Sequence, residues 1–243
     1  MTYCVGLKLD SGLLFLSDTR TNAGVDNIST VRKMRSWDVP GERTITLLSA
    51  GNLATTQAVT SWLDERNLAP DDRHPSILSA PSMFSVARIV GDTLKTEVER
   101  AGGSGGQSAA AFSGTLILGG QIKGGEPQLF LIYPEGNFIE ATPDNPFFQI
   151  GEAKYGKPIL VRAFDRTMDY RKALKLLLVS MDSTVRSNLS VGLPLDLRFS
   201  ERDDFGPTHE RRIEGDDPYF QSVSEGWSRA LRDAFDALPD YSG

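Results

Sequence analysis

Tyr3, Val5, Leu7 and Leu9 alternate with Cys4, Gly6 and Lys8, the period-two pattern of a strand. A second apolar run occupies 13–16, and Asp10-Ser11-Gly12 lies between the two as a turn, so the chain opens on a hairpin. A polar stretch at 21–30 reads as a loop. Strands follow at 31–39 and 44–50, joined by Pro40-Gly41-Glu42, and the second stops at Gly51. Asn52 is placed to cap a helix over 53–67 whose face carries Ala54, Ala58, Trp62 and Leu63. After a Pro-, Asp- and Ser-rich loop at 69–81, Phe84, Ala87, Val90, Leu94 and Val98 recur at helical spacing and predict a second helix over 83–100.

The run AGGSGGQSAA at 101–110 matches neither a P-loop nor a dinucleotide fingerprint and reads as a connection. Strands at 112–121, 128–133, 138–142 and 147–150, separated by Lys123-Gly124-Gly125 and Pro134-Glu135-Gly136-Asn137, form an antiparallel meander. Helices at 154–163 and 170–185 come next, the second with Ala173, Leu174, Leu177, Leu178 and Met181 on its apolar face. A strand at 193–199, a mostly charged stretch at 200–217 and an amphipathic helix at 219–238 complete the order ββββ, αα, ββββ, αα, β, α. That order predicts an α+β fold in which two facing antiparallel sheets are covered by helix pairs, a four-layer αββα sandwich.

The 243 residues, 40% hydrophobic and 24% charged, fit one compact domain. A net charge of -6 with no long basic stretch argues against nucleic acid. No apolar run reaches the roughly 18 residues that span a bilayer, and the start of the chain lacks the basic residues of a signal peptide. The single Cys4 excludes an internal disulfide and fits a reducing cytoplasm. With only two histidines, His74 and His209, beside that cysteine, no His-based triad, zinc site or other cofactor is expected.

The chemistry gathers on Thr2. If Met1 is removed, which a small second residue permits, this residue carries both a hydroxyl and a free amine, a nucleophile and a base. An α-amine with a pKa near 8 is partly neutral at pH 7. In the predicted sheet Lys33 falls beside Thr2, and Asp18 supplies the counter-charge that a buried ammonium needs. The N–H of Gly51, at a strand-to-helix corner, is a candidate oxyanion donor, with Ser49 and Leu53 beside it as candidate pocket residues. Plainer readings stand next to these. Thr2 is then an ordinary strand residue behind a retained Met1, Asp18 and Lys33 a buried ion pair, and Cys4, Trp62 and Trp227 core or interface residues.

The segments MTYCVGLKLDSGLLFLSDTR, VRK, LLSAGNLATTQ, LFLIYPEGNFIEA and FQIGEAKYGKP resemble the proteasome β-type branch of the N-terminal nucleophile hydrolases. Within it the chain most resembles the bacterial Anbu family, over about 2–199. The resemblance implies that Thr2 is the nucleophile, that Lys33 and Asp18 activate it, that Gly51 is the oxyanion donor and that Arg20 is a structural ion-pair partner. Proteasomal β-subunits follow the Ile-Gly of this region with a serine, where this chain has Glu152. For their later Asp and Ser it offers Asn188 with Ser187 or Ser190, or Asp182 from the preceding helix. The resemblance further implies a homo-oligomer, ring or open ring-like spiral, acting on peptides or unfolded protein; 200–243 extends past the matching part and is expected to be an assembly arm. It specifies neither an ATPase partner nor a subunit number. The expected function is a cytoplasmic threonine-type peptidase; an inert structural subunit and a hydrolase of small non-peptide amides are the alternatives.

Overall fold

A computed structural model of the chain describes residues 1–22, 28–69, 75–103, 109–207 and 209–241. Parts of the three stretches read as loops or connections, at 23–27, 70–74 (with His74) and 104–108, lie outside the described residues. In chain order the strands are β1 (Tyr3–Leu9), β2 (Gly12–Asp18), β3 (Arg20–Asn22), β4 (Ile28–Thr30), β5 (Met34–Val39) and β6 (Arg43–Gly51). Helices α1 (Leu53–Leu68) and α2 (Met83–Gly103) follow, then β7 (Gly114–Ile122), β8 (Gln128–Ile132), β9 (Phe138–Glu140) and β10 (Phe147–Gly151). Next come α3 (Lys157–Ala163), α4 (Tyr170–Ser187), β11 (Leu195–Glu201), β12 (His209–Ile213) and α5 (Pro218–Asp236).

One five-stranded antiparallel sheet has the order β10-β1-β2-β11-β12, and the other runs β5-β6-β7-β8-β9 as a meander. The period-two pattern of β1 divides its side chains between two layers. Tyr3, Val5 and Leu7 pack with Leu177, Leu178 and Met181 of α4. Cys4 joins Phe15, Leu48, Ile117, Leu129 and Ile150 between the sheets. The outer face of the second sheet buries Ile45, Leu47 and Leu118 against Val59 and Leu63 of α1 and Val86, Val90 and Leu94 of α2. Helices, sheet, sheet, helices: the predicted αββα sandwich is the observed one. Glycine lets the sheets approach closely at their centre, for a Cβ on Gly119 would stand 2.6 Å from Phe15 Cζ.

At the edge where β5, β11 and β12 meet, the bond across the sandwich is ionic. Arg198 on β11, 1% exposed, donates to Asp38 Oδ1 (2.5 Å) and Thr44 Oγ1 (2.9 Å) on the other sheet, and also to Glu210 on β12.

Several expectations need correction. The strand expected from residue 31 begins at Met34, because Val31 N–H bonds Thr19 O and the Lys33 carbonyl takes Ser49 N–H, which holds this segment outside the ladder. The 21–30 stretch contains the β3–β4 ribbon, whose polar residues carry no apolar alternation. Edge strand β12 was hidden in a charged stretch because Ile213 is its one buried residue. The buried face of α1 is Thr55, Thr56, Val59 and Leu63, and Ala54 is exposed. Thr56 can be buried because its hydroxyl bonds back to Asn52 O and Leu53 O. Helix α3 starts at Lys157 rather than 154, with Pro158 in its first turn. Among the described residues no helix is long and apolar enough to cross a membrane.

Phe15→Ala empties the layer between the sheets, where Gly119 cannot fill in, and is expected to lower stability by about 3–5 kcal/mol. Equilibrium urea unfolding checks this, and a loss under about 1 kcal/mol would show that Phe15 is not central to that layer.

Candidate active site

Asp18 ends β2 with its side chain fully buried. Its Oδ1 accepts from Tyr3 N (2.9 Å) and Lys33 Nζ (2.7 Å), and Gly192 N approaches Oδ2 at 3.4 Å. Burial pushes this carboxyl above the usual carboxylate range, while the Lys33 ammonium and the two backbone N–H groups pull the other way. Lys33 uses all three of its protons: on Asp18, on Arg20 O at 2.7 Å and on Met1 O at 3.4 Å. It sits just ahead of β5, not on the strand as expected, and its own carbonyl is tied to Ser49 N at 2.9 Å on β6.

The residue between Met1 and Tyr3 is held from both sides. Thr2 O accepts Glu152 N at 2.7 Å. Gly151, paired with Tyr3, has φ +84°, and a Cβ there would run into Thr2 O, so glycine alone lets the strands meet at this point. The Tyr3 phenol lies 2.6 Å from Ser180 Oγ, which donates to Gly156 O at 2.9 Å. Burial, followed by the Lys33 charge, lowers the pKa of the Met1 amine, and the carboxylates of Asp18 and Glu152 oppose that shift.

Glu152 is buried, yet its carboxylate is well supplied with donors. Oε1 accepts from Ala153 N and Lys154 N, each at 2.9 Å, and Oε2 accepts from Asn188 Nδ2 at 2.7 Å. These bonds, that of Lys154 foremost, hold its pKa below the usual glutamate range. Asn188 also accepts Ser190 N at 3.0 Å. Ser187 is exposed at the end of α4 and, among the described residues, has no polar contact to this cluster. Asp182 is engaged by Arg186, at 3.1 Å and 3.2 Å, and Arg186 continues to Ser224 on α5; among the described residues no hydrogen bond joins Asp182 to Thr2. Arg20 was expected as an ion-pair partner. Among the described residues its guanidinium meets no carboxylate; it donates to Leu189 O at 3.1 Å and lies against Gly192.

Gly51 ends β6 with φ +113°, and a Cβ on it would strike Ser113 O. Asn52 follows as the cap of α1, its Oδ1 accepting Thr55 N at 3.1 Å. Beside this corner a cleft of about 390 Å³ lies between the 31–35 segment and α1, and both Ser49 and Leu53 line it next to Lys33. Gly151, Gly192 and Ser180 were not singled out by the residue pattern; only Gly151, a glycine where the apolar run of β10 stops, carries a legible signal. Among the described residues no cluster of His, Cys, Asp and Glu is placed to hold a metal ion. The arrangement brings the Lys33 ammonium and the buried Asp18 carboxylate to the start of β1, with the Gly51 corner next to the cleft that Lys33 also lines.

Among solved structures, Anbu (ancestral beta-subunit) from Yersinia bercovieri superposes with a TM-score of 0.92, at 47% identity and with 99% of each chain covered. Anbu from Hyphomicrobium sp. strain MC1 gives 0.90 at 51% identity, over 99% of this chain and 100% of that one. The helical assembly of the Anbu complex from Pseudomonas aeruginosa gives 0.92 at 44%, over 99% and 98%. No family model matches the chain, and no curated protein does.

Asp18→Asn leaves the Lys33 ammonium buried without its counter-charge and is expected to cost about 3–5 kcal/mol of stability. Denaturant unfolding of the two proteins measures the difference, and equal midpoints would mean that the pair is not what holds this corner.

Proposed function

Because the chain belongs to the Anbu (ancestral beta-subunit) family, we propose that it is a proteasome-related N-terminal nucleophile hydrolase that opens peptide or similar amide bonds with Thr2 once Met1 is removed. The observation that carries this reading is the contact of Lys33 Nζ with Met1 O at 3.4 Å while Asp18 holds the same ammonium at 2.7 Å. The Met1 carbonyl carbon is bonded to Thr2 N, so the ammonium stands within a few bonds of the amine that trimming would free.

In this reading the Thr2 hydroxyl attacks the substrate carbonyl and passes its proton to the Thr2 amine. The positive field of Lys33 stabilises the developing alkoxide, and the N–H of Gly51 donates a hydrogen bond to the oxyanion. Collapse of the tetrahedral intermediate breaks the C–N bond, and the leaving amine takes the proton back from Thr2. Water, deprotonated by the same amine, then attacks the Thr2 ester and releases the carboxylic acid and the free hydroxyl. Glu152, held by Asn188, acts on this amine through its charge. Ser190 supports Asn188, and neither Ser187 nor Asp182 takes a part.

The assembly reading is a homo-oligomer, ring or open spiral, supported by the helical assembly formed by the Pseudomonas aeruginosa complex. Residues 200–243 act in it as an arm: Leu231, Phe235, Leu238 and Tyr241, on and just after the distal half of α5, are 55%, 71%, 64% and 95% exposed. Enclosure in such an assembly restricts substrates to peptides or unfolded segments, and the free, buried Cys4 fits a cytoplasmic location.

Intact mass spectrometry is expected to show loss of Met1 and, after treatment with a peptide epoxyketone, one adduct per chain in the wild type and none in Thr2→Ala. A trimmed wild type that gains no mass overturns the nucleophile assignment.

The pH profile adds an independent check. The base is the neutral Thr2 amine, so kcat/KM rises with pH through that amine's pKa; burial and Lys33 lower the pKa of the Met1 amine, and the freed Thr2 amine is expected to shift in the same direction. Glu152 raises the pKa of the Met1 amine, and its charge is expected to act in the same direction on the freed Thr2 amine, so Glu152→Gln is expected to move the acid limb to lower pH. A limb that stays still or moves upward removes Glu152 from the site.

A further inference from the structure

We propose that Arg20 is a positioning residue that holds the two acids at the start of β1, Asp18 and Glu152, through a single turn of chain at 188–192, an inference that rests on the hydrolase reading above. Arg20 begins β3 and is half-buried. Its carbonyl accepts Lys33 Nζ at 2.7 Å, so its backbone already belongs to the site. Its side chain reaches the turn that follows α4. There Nη1 donates to Leu189 O at 3.1 Å, and a Cβ built on Gly192 would stand 2.2 Å from Cζ, 2.4 Å from Nε and 2.5 Å from Nη2. With three guanidinium atoms that near one point, the face of the group covers Gly192. Glycine is required here for close approach, not for a left-handed backbone.

The same turn serves both acids. Gly192 N approaches Asp18 Oδ2 at 3.4 Å, and Asn188 Nδ2 donates to Glu152 Oε2 at 2.7 Å. The Asn188 amide is itself oriented by the turn: its Oδ1 accepts Ser190 N and its carbonyl accepts Val191 N, each at 3.0 Å. What Asn188 offers to Glu152 therefore depends on where 190 and 191 lie, and Arg20 grips the chain on either side of them. Past the turn, Thr19 Oγ1 donates to Pro194 O at 2.6 Å, so two successive residues tie this segment to the end of β2. A planar fork of donors fixes orientation as well as distance, which the single ammonium of a lysine does not. The charges of Asp18 and Glu152 oppose the lowering of the Met1 amine's pKa by burial and Lys33, and are expected to do so for the Thr2 amine. Loosening the turn withdraws part of that opposition, so the amine then titrates at lower pH. Loss of a cation acting directly on the amine would have the reverse sign, and the two effects are thereby separable.

The test reads the N-terminal amine of the trimmed chain itself, by competitive labelling with acetic anhydride over a pH series and mass analysis of the first peptide, and so needs no turnover. Arg20→Ala is expected to move the titration to lower pH by at least half of the shift that Glu152→Gln produces. The double variant is expected to move it by less than the two single shifts combined. Arg20→Lys, which keeps the charge and loses the planar fork, is expected to shift it in the same direction. So is Gly192→Ala, whose methyl group displaces the guanidinium with the arginine still present. A titration that stays put or moves upward in Arg20→Ala or Arg20→Lys, or single shifts that add in full, overturns the proposal. Epoxyketone labelling of the same proteins tells the two readings apart. A shifted amine on chains that take no adduct leaves Arg20 as the holder of the two acids and ends the hydrolase reading; an adduct on chains whose amine does not shift ends the Arg20 assignment alone.

Discussion

The ion pair between Asp18 and Lys33 is the constraint on which the rest of this site depends. Neither ion is tolerable alone at such burial, since an unpaired charge there is far more costly than any single packing contact. Four separate pieces of chain close on the pair: the start of β1 through Tyr3 N, the end of β2, the segment ahead of β5, and the turn at Gly192. The carbonyls of Arg20 and Met1 complete the ammonium's shell. The pair is thus a clasp before it is anything chemical, and a displacement of any of these pieces would leave a charge unmet.

A chain terminus is ordinarily the least ordered part of a domain. Here it is made orderly by its neighbours in two layers. Glu152 N–H and Gly151 secure the backbone of Thr2 from β10, and the phenol of Tyr3 is bolted through Ser180 to the carbonyl of Gly156, linking β1 to α4 and the start of α3. The two glycine corners have complementary duties. Gly151 permits contact between strands that any side chain would block, and Gly51 turns β6 out of its sheet so that α1 can begin. Geometry at the terminus is therefore inherited from the sandwich core, not from the few residues that do chemistry.

How much of this was readable beforehand follows from physical pattern. The αββα layers were legible because β1, β2 and the meander carry period-two or continuous apolar runs, and α2 and α4 carry one apolar stripe each. The β3–β4 ribbon and β12 were not, since neither shows an apolar alternation: Arg20 and Thr21 are polar, and His209 to Arg211 are exposed, with Ile213 the one buried residue of β12. The buried threonines of α1 misled because their hydroxyls are satisfied within the helix, a compensation no hydropathy pattern shows. Asp18, Lys33 and Gly51 could be picked out by residue type, as a buried acid, its cation and a corner glycine. The coupling of Glu152 to Asn188 and the diversion of Asp182 to Arg186 depend on how α4 is rotated, which sequence spacing leaves undetermined.

Arg198 has a consequence of another kind. Its guanidinium is almost wholly enclosed, whereas Asp38 and Glu210, which it bridges, are about a third and a half exposed. Replacing the arginine by an apolar residue strands two carboxylates that water can still reach. Replacing the acids first strands a cation that water cannot. Sequence drift at this edge is therefore directional: a lineage can lose the arginine and then its acids, but the opposite order passes through an intermediate that folds poorly.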